Sequence, residues 1–213
     1  MSSMNLNRRA MLKVTGLMGG GFLIGQMAAA SALAEEAVQD LVVSGELNAY
    51  IRVSSDGKIT IYSANPEMGQ GIKTALPMII AEELGAAWED VEVLQSPVDE
   101  ATFGRQGAGG STSIPRNFDA MREMGASARE MFIGAGSLVM EVPREELDTA
   151  DSKVVHTSGR YMTFGQLASL AAKQDVPDPG SLEFREREDY RIIGTSVSGV
   201  DNLSIATGLA LFG

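Results

Sequence analysis

Cysteine is absent from all 213 residues. That removes disulfide scaffolds, thiolate zinc sites and iron–sulfur clusters carried by this chain. A single histidine, His156, is too few for a multi-histidine metal site and argues against a Ser-His-Asp machine. It lies in a strand-like run, Lys153 to Thr157, ahead of a Ser158-Gly159 turn, which suits a solvent-facing or hydrogen-bonded structural role. Positive charge is scarce, with 17 basic residues against 28 acidic ones and a net charge of −11. The deficit is uneven, because Arg8, Arg9 and Lys13 fall in the first 34 residues, which hold no acid. The acidic body that follows argues against nucleic acid or an anionic membrane as its partner. Internal repeats and low-complexity tracts are also missing, and the length suits one domain with its own core.

Residues 1–34 have the three parts of a secretory address. Asn7 to Lys13 is a basic head, Val14 to Ala30 a weakly apolar, glycine-rich middle, and Ala32-Leu33-Ala34 a small-residue exit. Arg8-Arg9 followed by Leu12 resembles the twin-arginine export signal, although Ala10-Met11 departs from its usual aromatic preference. Periplasmic localisation follows from that reading, with membrane association if the segment stays uncleaved. Export after folding suits a chain that takes up a tightly bound cofactor first.

From residue 35 the pattern is mixed. Glu35 to Leu41 reads as a loose connector. Asn48 to Val53 and Lys58 to Ala64 alternate about an Asp56-Gly57 corner and predict a hairpin. Ile72 to Leu84 has apolar residues at 72, 76, 79, 80 and 84, which predicts a helix closed by Gly85. Trp88 reads as a core cover, and Val91 to Gln95 as a short strand. Ser96 to Ser113 is a long connection of the kind that is usually functional or disordered. Pro115 then suits a helix start capped by Ser113 or Ile114, running to about Ala135, with Gly125 to Ala128 packed closely on a neighbour. After Glu141 the chain reads as acidic loop, then a small hairpin over 153–162. Thr163 to Gln166 fits a capping box opening a helix through Lys173. Glu183 to Asp189 reads as an exposed extended run. The expected fold class is α+β, a small mixed or antiparallel sheet layered with two to three helices.

Two stretches carry most of the chemistry. Pro66-Glu67-Met68-Gly69-Gln70-Gly71 sits between a strand and a helix, where glycine lets backbone approach a ligand and the helix offers unpaired N–H groups to an anion. A tight turn without a ligand explains the same residues. Gly109-Gly110-Ser111-Thr112-Ser113 repeats the arrangement ahead of the next helix, with hydroxyl donors added. Neither is a Rossmann or Walker loop, for the third glycine and the Gly-Lys-Ser/Thr ending are missing. Two neutral loops of this kind fit a pyrophosphate-bearing cofactor. Glu67, Glu82 and Glu83 read as surface carboxylates, and no catalytic residue or metal ligand is assigned.

Further residues extend the pattern. The run Pro66 to Thr74, then Glu82 to Ala86 and Trp88 to Val91, resembles the xanthine dehydrogenase family. The likeness is to its molybdopterin-binding large subunits of the isoquinoline oxidoreductase and aldehyde dehydrogenase type. Gly109 to Ser113 with Arg122 and Gly125 to Arg129 is similar to their second cofactor loop and helix. Gly159-Arg160, Phe164 to Ala168 and Tyr190 to Gly194 are similar as well. The resemblance implies a molybdenum-bearing molybdopterin cytosine dinucleotide. Gly69, Gln70 and Gly71 would lie at its pterin-pyrophosphate region, and Gly110, Ser111, Thr112 and Ser113 at its phosphates or pterin. It also implies oxidation of aldehydes or N-heterocycles with oxygen from water, and a small Fe–S subunit as electron acceptor. Such subunits are several times longer and carry a general-base glutamate far downstream, which has no counterpart here. Leu209 stands where they usually have a basic residue. The expectation is therefore an N-terminal fragment. Residues 35–205 would be part of the molybdopterin-binding domain, and 206–213 would start a segment that, with the rest of the subunit, is missing. The alternatives are a non-catalytic periplasmic module that binds the cofactor or a partner subunit, and a truncated, non-functional remnant that binds nothing.

Overall fold

A computed structural model describes residues 45–210. The leader expected over 1–34 and the connector over 35–41 lie outside the described residues. Three strands open the fold: β1 (Gly45–Asn48), β2 (Ile51–Val53) and β3 (Ile59–Ser63). β2 and β3 pair antiparallel with Ile51 opposite Ile61 and Val53 opposite Ile59, as the Asp56-Gly57 corner predicts. The run expected to be continuous from Asn48 breaks at its start. Asn48 Oδ1 accepts from the Tyr50 N–H at 3.0 Å, an Asx-type turn that ends β1 and sends it back along β2.

Helix α1 (Ile72–Leu84) has the expected bounds. Gly85 ends it in the left-handed region at φ 77°, its N–H shared between the carbonyls of Ala81 and Glu82. After a 3₁₀ turn at Trp88–Asp90 comes β4 (Val91–Gln95). β4 runs parallel to β3, Ile59 facing Val91 and Ser63 facing Gln95, so α1 is the crossover of a β-α-β unit. The result is a four-stranded mixed sheet in the order β1-β2-β3-β4.

The long connection beyond β4 contains a single helical turn, α2 (Glu100–Phe103), capped by Asp99. The Phe103 ring meets Tyr50 edge-on at 5.3 Å, and its carbonyl accepts from the Tyr50 hydroxyl at 2.6 Å. Helix α3 (Ser113–Met140) starts and ends outside its expected limits. Thr112 caps it instead of Ser113 or Ile114, which makes Pro115 its third residue, a position still within the first turn where no N–H is needed. Gly125 to Ala128 are buried, and Gly125 packs closely on Ile80 and Glu83 of α1, a neighbour of the kind expected.

Beyond α3 the acidic stretch is not all loop. Leu147–Ala150 forms β5, with Leu147 and Thr149 inward, and pairs with β6 (Lys153–His156), which pairs with β7 (Tyr161–Thr163). The capping box is present. Thr163 Oγ1 accepts from the Gln166 N–H, and the Gln166 side chain accepts from the Thr163 N–H, opening α4 (Phe164–Ala171). Phe164 stacks on Phe132 of α3 with centroids 4.2 Å apart, joining α4 to the core. His156 is the hydrogen-bonded structural residue expected. Nδ1 accepts from the Ser158 N–H, and Nε2 lies 2.7 Å from Glu146. The last helix is α5 (Asn202–Ala206). No helix among the described residues is long and apolar enough to cross a membrane.

Candidate functional site

The parallel pair β3 and β4 decides where the two glycine loops go. Ser63 and Gln95 are neighbours at the carboxyl ends of those strands, so residues 64–71 and 96–112 leave the same sheet edge. That edge is where open α/β sheets hold their ligands, because helix N-termini and loops converge there. The loops are tied at their roots. Buried Asn65 donates to the Gly107 carbonyl at 2.9 Å and accepts from Asn117 of α3 at 3.4 Å. Gln106 donates to Ser96 Oγ at 2.8 Å and to the Pro97 carbonyl at 2.7 Å, folding the second connection back onto the strand ends.

In the first loop Gly69 and Gly71 hold φ of 94° and 78°, values that suit glycine with or without a ligand. A side chain added at either would meet nothing within 4 Å. The donors of this loop are already engaged. Glu67 Oε1 accepts from the N–H of Gly69 at 2.7 Å and of Gly71 at 3.0 Å, and Oε2 accepts from Lys73 at 2.9 Å. Partial burial raises the Glu67 pKa, but bonds from Lys73, Gly71, Gly69 and Gln70 outweigh it and hold the carboxyl below its ordinary 4.5. The Gln70 amide is also turned inward, accepting from Met68 and donating to Pro66.

The second loop is more open. Gly110 and Ser111 are both left-handed, at φ 63° and 56°. Thr112 donates its hydroxyl to Gly109 at 3.0 Å. Ser111 and Ser113 hydroxyls form no hydrogen bond among the described residues. Gly69 and Gly71 line a cleft of 830 Å³ whose other wall is the segment 199–210, including Val200 and Leu209. Lys73 fastens that wall through Asp201, at 2.7 and 3.0 Å, and Thr74 Oγ1 accepts from the Val200 N–H. None of Gly110 to Ser113 lines this cleft. The second connection approaches the first loop through Gln106, beside Glu67 and Lys73 in an adjoining recess.

Residues 11–203 match the molybdopterin cofactor-binding domain family. The chain belongs to that family. Its resemblance to the large subunits of the isoquinoline oxidoreductase type is borne out by relatives as well. It is 27% identical over 249 residues to the beta subunit of isoquinoline 1-oxidoreductase from Brevundimonas diminuta, covering 99% of this chain and 32% of that protein. It is 28% identical over 204 residues to a nicotinate dehydrogenase subunit from Pseudomonas putida, covering 95% of this chain and 17% of that one. This member of the family thus spans a third or less of those relatives. Among solved structures, quinoline 2-oxidoreductase from Pseudomonas putida 86 aligns with TM-score 0.44 and 25% identity, over 56% of this chain and 15% of that one. Reconstituted CO dehydrogenase from Oligotropha carboxidovorans aligns with TM-score 0.48 and 24% identity, over the same shares of each chain.

The chemistry of the donors can be set against the anionic cofactor that the family takes. Left-handed Gly110 and Ser111 with two unengaged hydroxyls at the mouth of a 28-residue helix fit such a group. The N–H groups of Gly69 and Gly71 do not fit it while Glu67 holds them. Spacing alone does not mark Glu67 as a loop-former, although a carboxylate just ahead of a helix is the expected neutraliser of its dipole.

Glu82 and Glu83, expected at the surface, are 3% and 1% exposed. Glu82 accepts from three successive N–H groups, of Arg191, Ile192 and Ile193, at 2.7 to 2.9 Å. Glu83 takes Arg122 Nε at 2.5 Å, Arg129 at 3.3 Å and the Arg185 N–H at 3.0 Å. The charged run Glu183 to Asp189 is largely exposed, but these bonds pin its backbone to α1. Both carboxylates are spent on bonds within the fold.

Proposed function

We propose that this chain is part of the cofactor-binding large subunit of a molybdenum hydroxylase and holds molybdopterin cytosine dinucleotide. The departure of both glycine loops from one carboxyl edge of β3 and β4 is the observation that carries the reading. Ser111 and Ser113 would donate hydroxyls to the phosphates, with Gly110 and Thr112 shaping the backbone around them. Gly69, Gln70 and Gly71 would border the pterin by close approach, their own polar groups being engaged within the loop. The bound molybdenum would supply the oxidation, in which an aldehyde or N-heterocycle gains an oxygen from water and gives up two electrons. A small Fe–S subunit would take those electrons, and the relatives being named as subunits supports such an assembly.

Purified protein from a host that makes the cofactor should contain equimolar molybdenum and pterin, with CMP released on acid hydrolysis. Ser111→Ala should weaken pterin retention about ten- to a hundredfold, the worth of one hydrogen bond to a charged group. Folded protein free of molybdenum and pterin would sink the reading. That outcome would favour a module without cofactor, which the self-contained bonding of Glu67 also suits. The basic head at Arg8-Arg9 supports export to the periplasm by the twin-arginine route. Replacing both arginines by lysine should retain the protein in the cytoplasmic fraction, and unchanged fractionation would exclude that route.

A further inference from the structure

The mouth of α1 has the donor set of a phosphate nest, with left-handed glycines at 69 and 71 and three N–H groups turned to one place. What lies in that place is the Glu67 carboxylate, with two N–H groups on one oxygen and one on the other. The cationic side chain beside it is also engaged, since Lys73 puts its ammonium on both oxygens of Asp201. Lys73 and Asp201 are the other charged side chains lining the two recesses that border Glu67. Every attraction that this helix mouth would offer an external oxyanion is therefore met from within the chain.

We propose that Glu67 is a built-in oxyanion, a positioning residue that fills the nest of the first loop and closes it to phosphate-type ligands at neutral pH. A carboxylate tethered within a few residues competes at an effective concentration of about millimolar or more. Free phosphate or pyrophosphate must displace it and leave it without donors in a half-buried place. The loop is held in its left-handed course by the same bonds, so Glu67 also fixes what Gly69, Gln70 and Gly71 present to the cleft. The sign of the pH dependence follows from the depressed pKa of Glu67. The bonding is complete above the ordinary value of 4.5 and is lost as pH falls through the lower folded value. Only protonation or removal of the carboxylate opens the nest. None of this depends on the cofactor reading, because a diphosphate held at the second loop leaves Glu67 in place.

Amide NMR on the full, cofactor-free chain tests this with inorganic pyrophosphate as probe. In the wild type at pH 7, the resonances of Gly69, Gly71 and Lys73 should stay fixed as pyrophosphate is added. In Glu67→Ala the same three should move saturably. Saturable movement in the wild type, or none in a folded Glu67→Ala, would overturn the proposal. Acid titration of the wild type supplies a test independent of whether the variant folds. The three amides should shift together with one midpoint below 4.5, and separate transitions or a midpoint at or above that value would refute the assignment. Loss of molybdenum and pterin binding would leave both results untouched.

Discussion

Replacing Glu83 by alanine should destabilise the protein by about 3–5 kcal/mol, the usual cost of stranding a buried charge. The Glu83 side chain is 1% exposed and that of Arg129 7%. Arg129 reaches the Glu83 carboxylate and the Glu83 carbonyl from one nitrogen, and the Glu183 carbonyl from another. Burial lowers the Arg129 pKa, the neighbouring Arg185 lowers it further, and Glu83 is the first charge that opposes them. With Glu83 gone, the guanidinium keeps two carbonyls and faces a second cation. Arg122 and the backbone of Arg185 lose their acceptor at the same stroke, so the strap over 183–193 keeps its bonds to Glu82 of α1 and the bridge through Arg129 but loses those to the Glu83 carboxylate. Urea unfolding should show a lower midpoint with an unchanged slope. Glu83→Gln, which keeps the shape and an acceptor but not the charge, should fall between. A loss below about 1 kcal/mol, the range of a surface ion pair, would mean that water reaches the pair.

The local features of this fold were legible because their causes are local. The bounds of α1 follow from apolar spacing and from Gly85, whose left-handed conformation ends the helix. The β2–β3 hairpin follows from alternation about Asp56-Gly57, and the start of α4 from a capping box spanning four residues. What was missed depends on partners far along the chain. Glu82 and Glu83 look exposed beside the stripe of 72, 76, 79, 80 and 84, yet α1 is enclosed on nearly every side. The groups that enclose its end come more than 100 residues later, at Arg185 and Arg191 to Ile193. β5 was hidden because only Leu147 and Thr149 of its four residues face inward. At the candidate site, the glycines and hydroxyls were visible. The occupation of one set of donors by Glu67 was not, because spacing shows which groups are near each other and not which of them have already found a partner.

The contact between α1 and α3 yields the other large effect. A Cβ at Gly125 would stand 2.5 Å from the Ile80 carbonyl oxygen and 2.7 Å from Glu83 Cβ. The first of these is backbone and cannot swing aside, so relief requires the helices to part. Gly125→Ala should cost about 1–3 kcal/mol by overpacking, a fall in Tm of roughly 2–12 °C for a chain of this size. Gly125→Val should cost more, since its second methyl has no space either. Gly69→Ala is the contrast, because its Cβ meets nothing and only the positive φ opposes it. That strain is worth about 1–2 kcal/mol. The two glycines should also separate in function. α1 and α3 each begin at one of the two loops, so a wedge at Gly125 alters the distance between the loops without touching either. Under conditions where Gly125→Ala remains folded, it should retain less pterin than wild type, and its remaining pterin should dissociate faster. If Gly125→Val melts at the wild-type temperature, the helices do not touch along this line and the loops are not spaced by it.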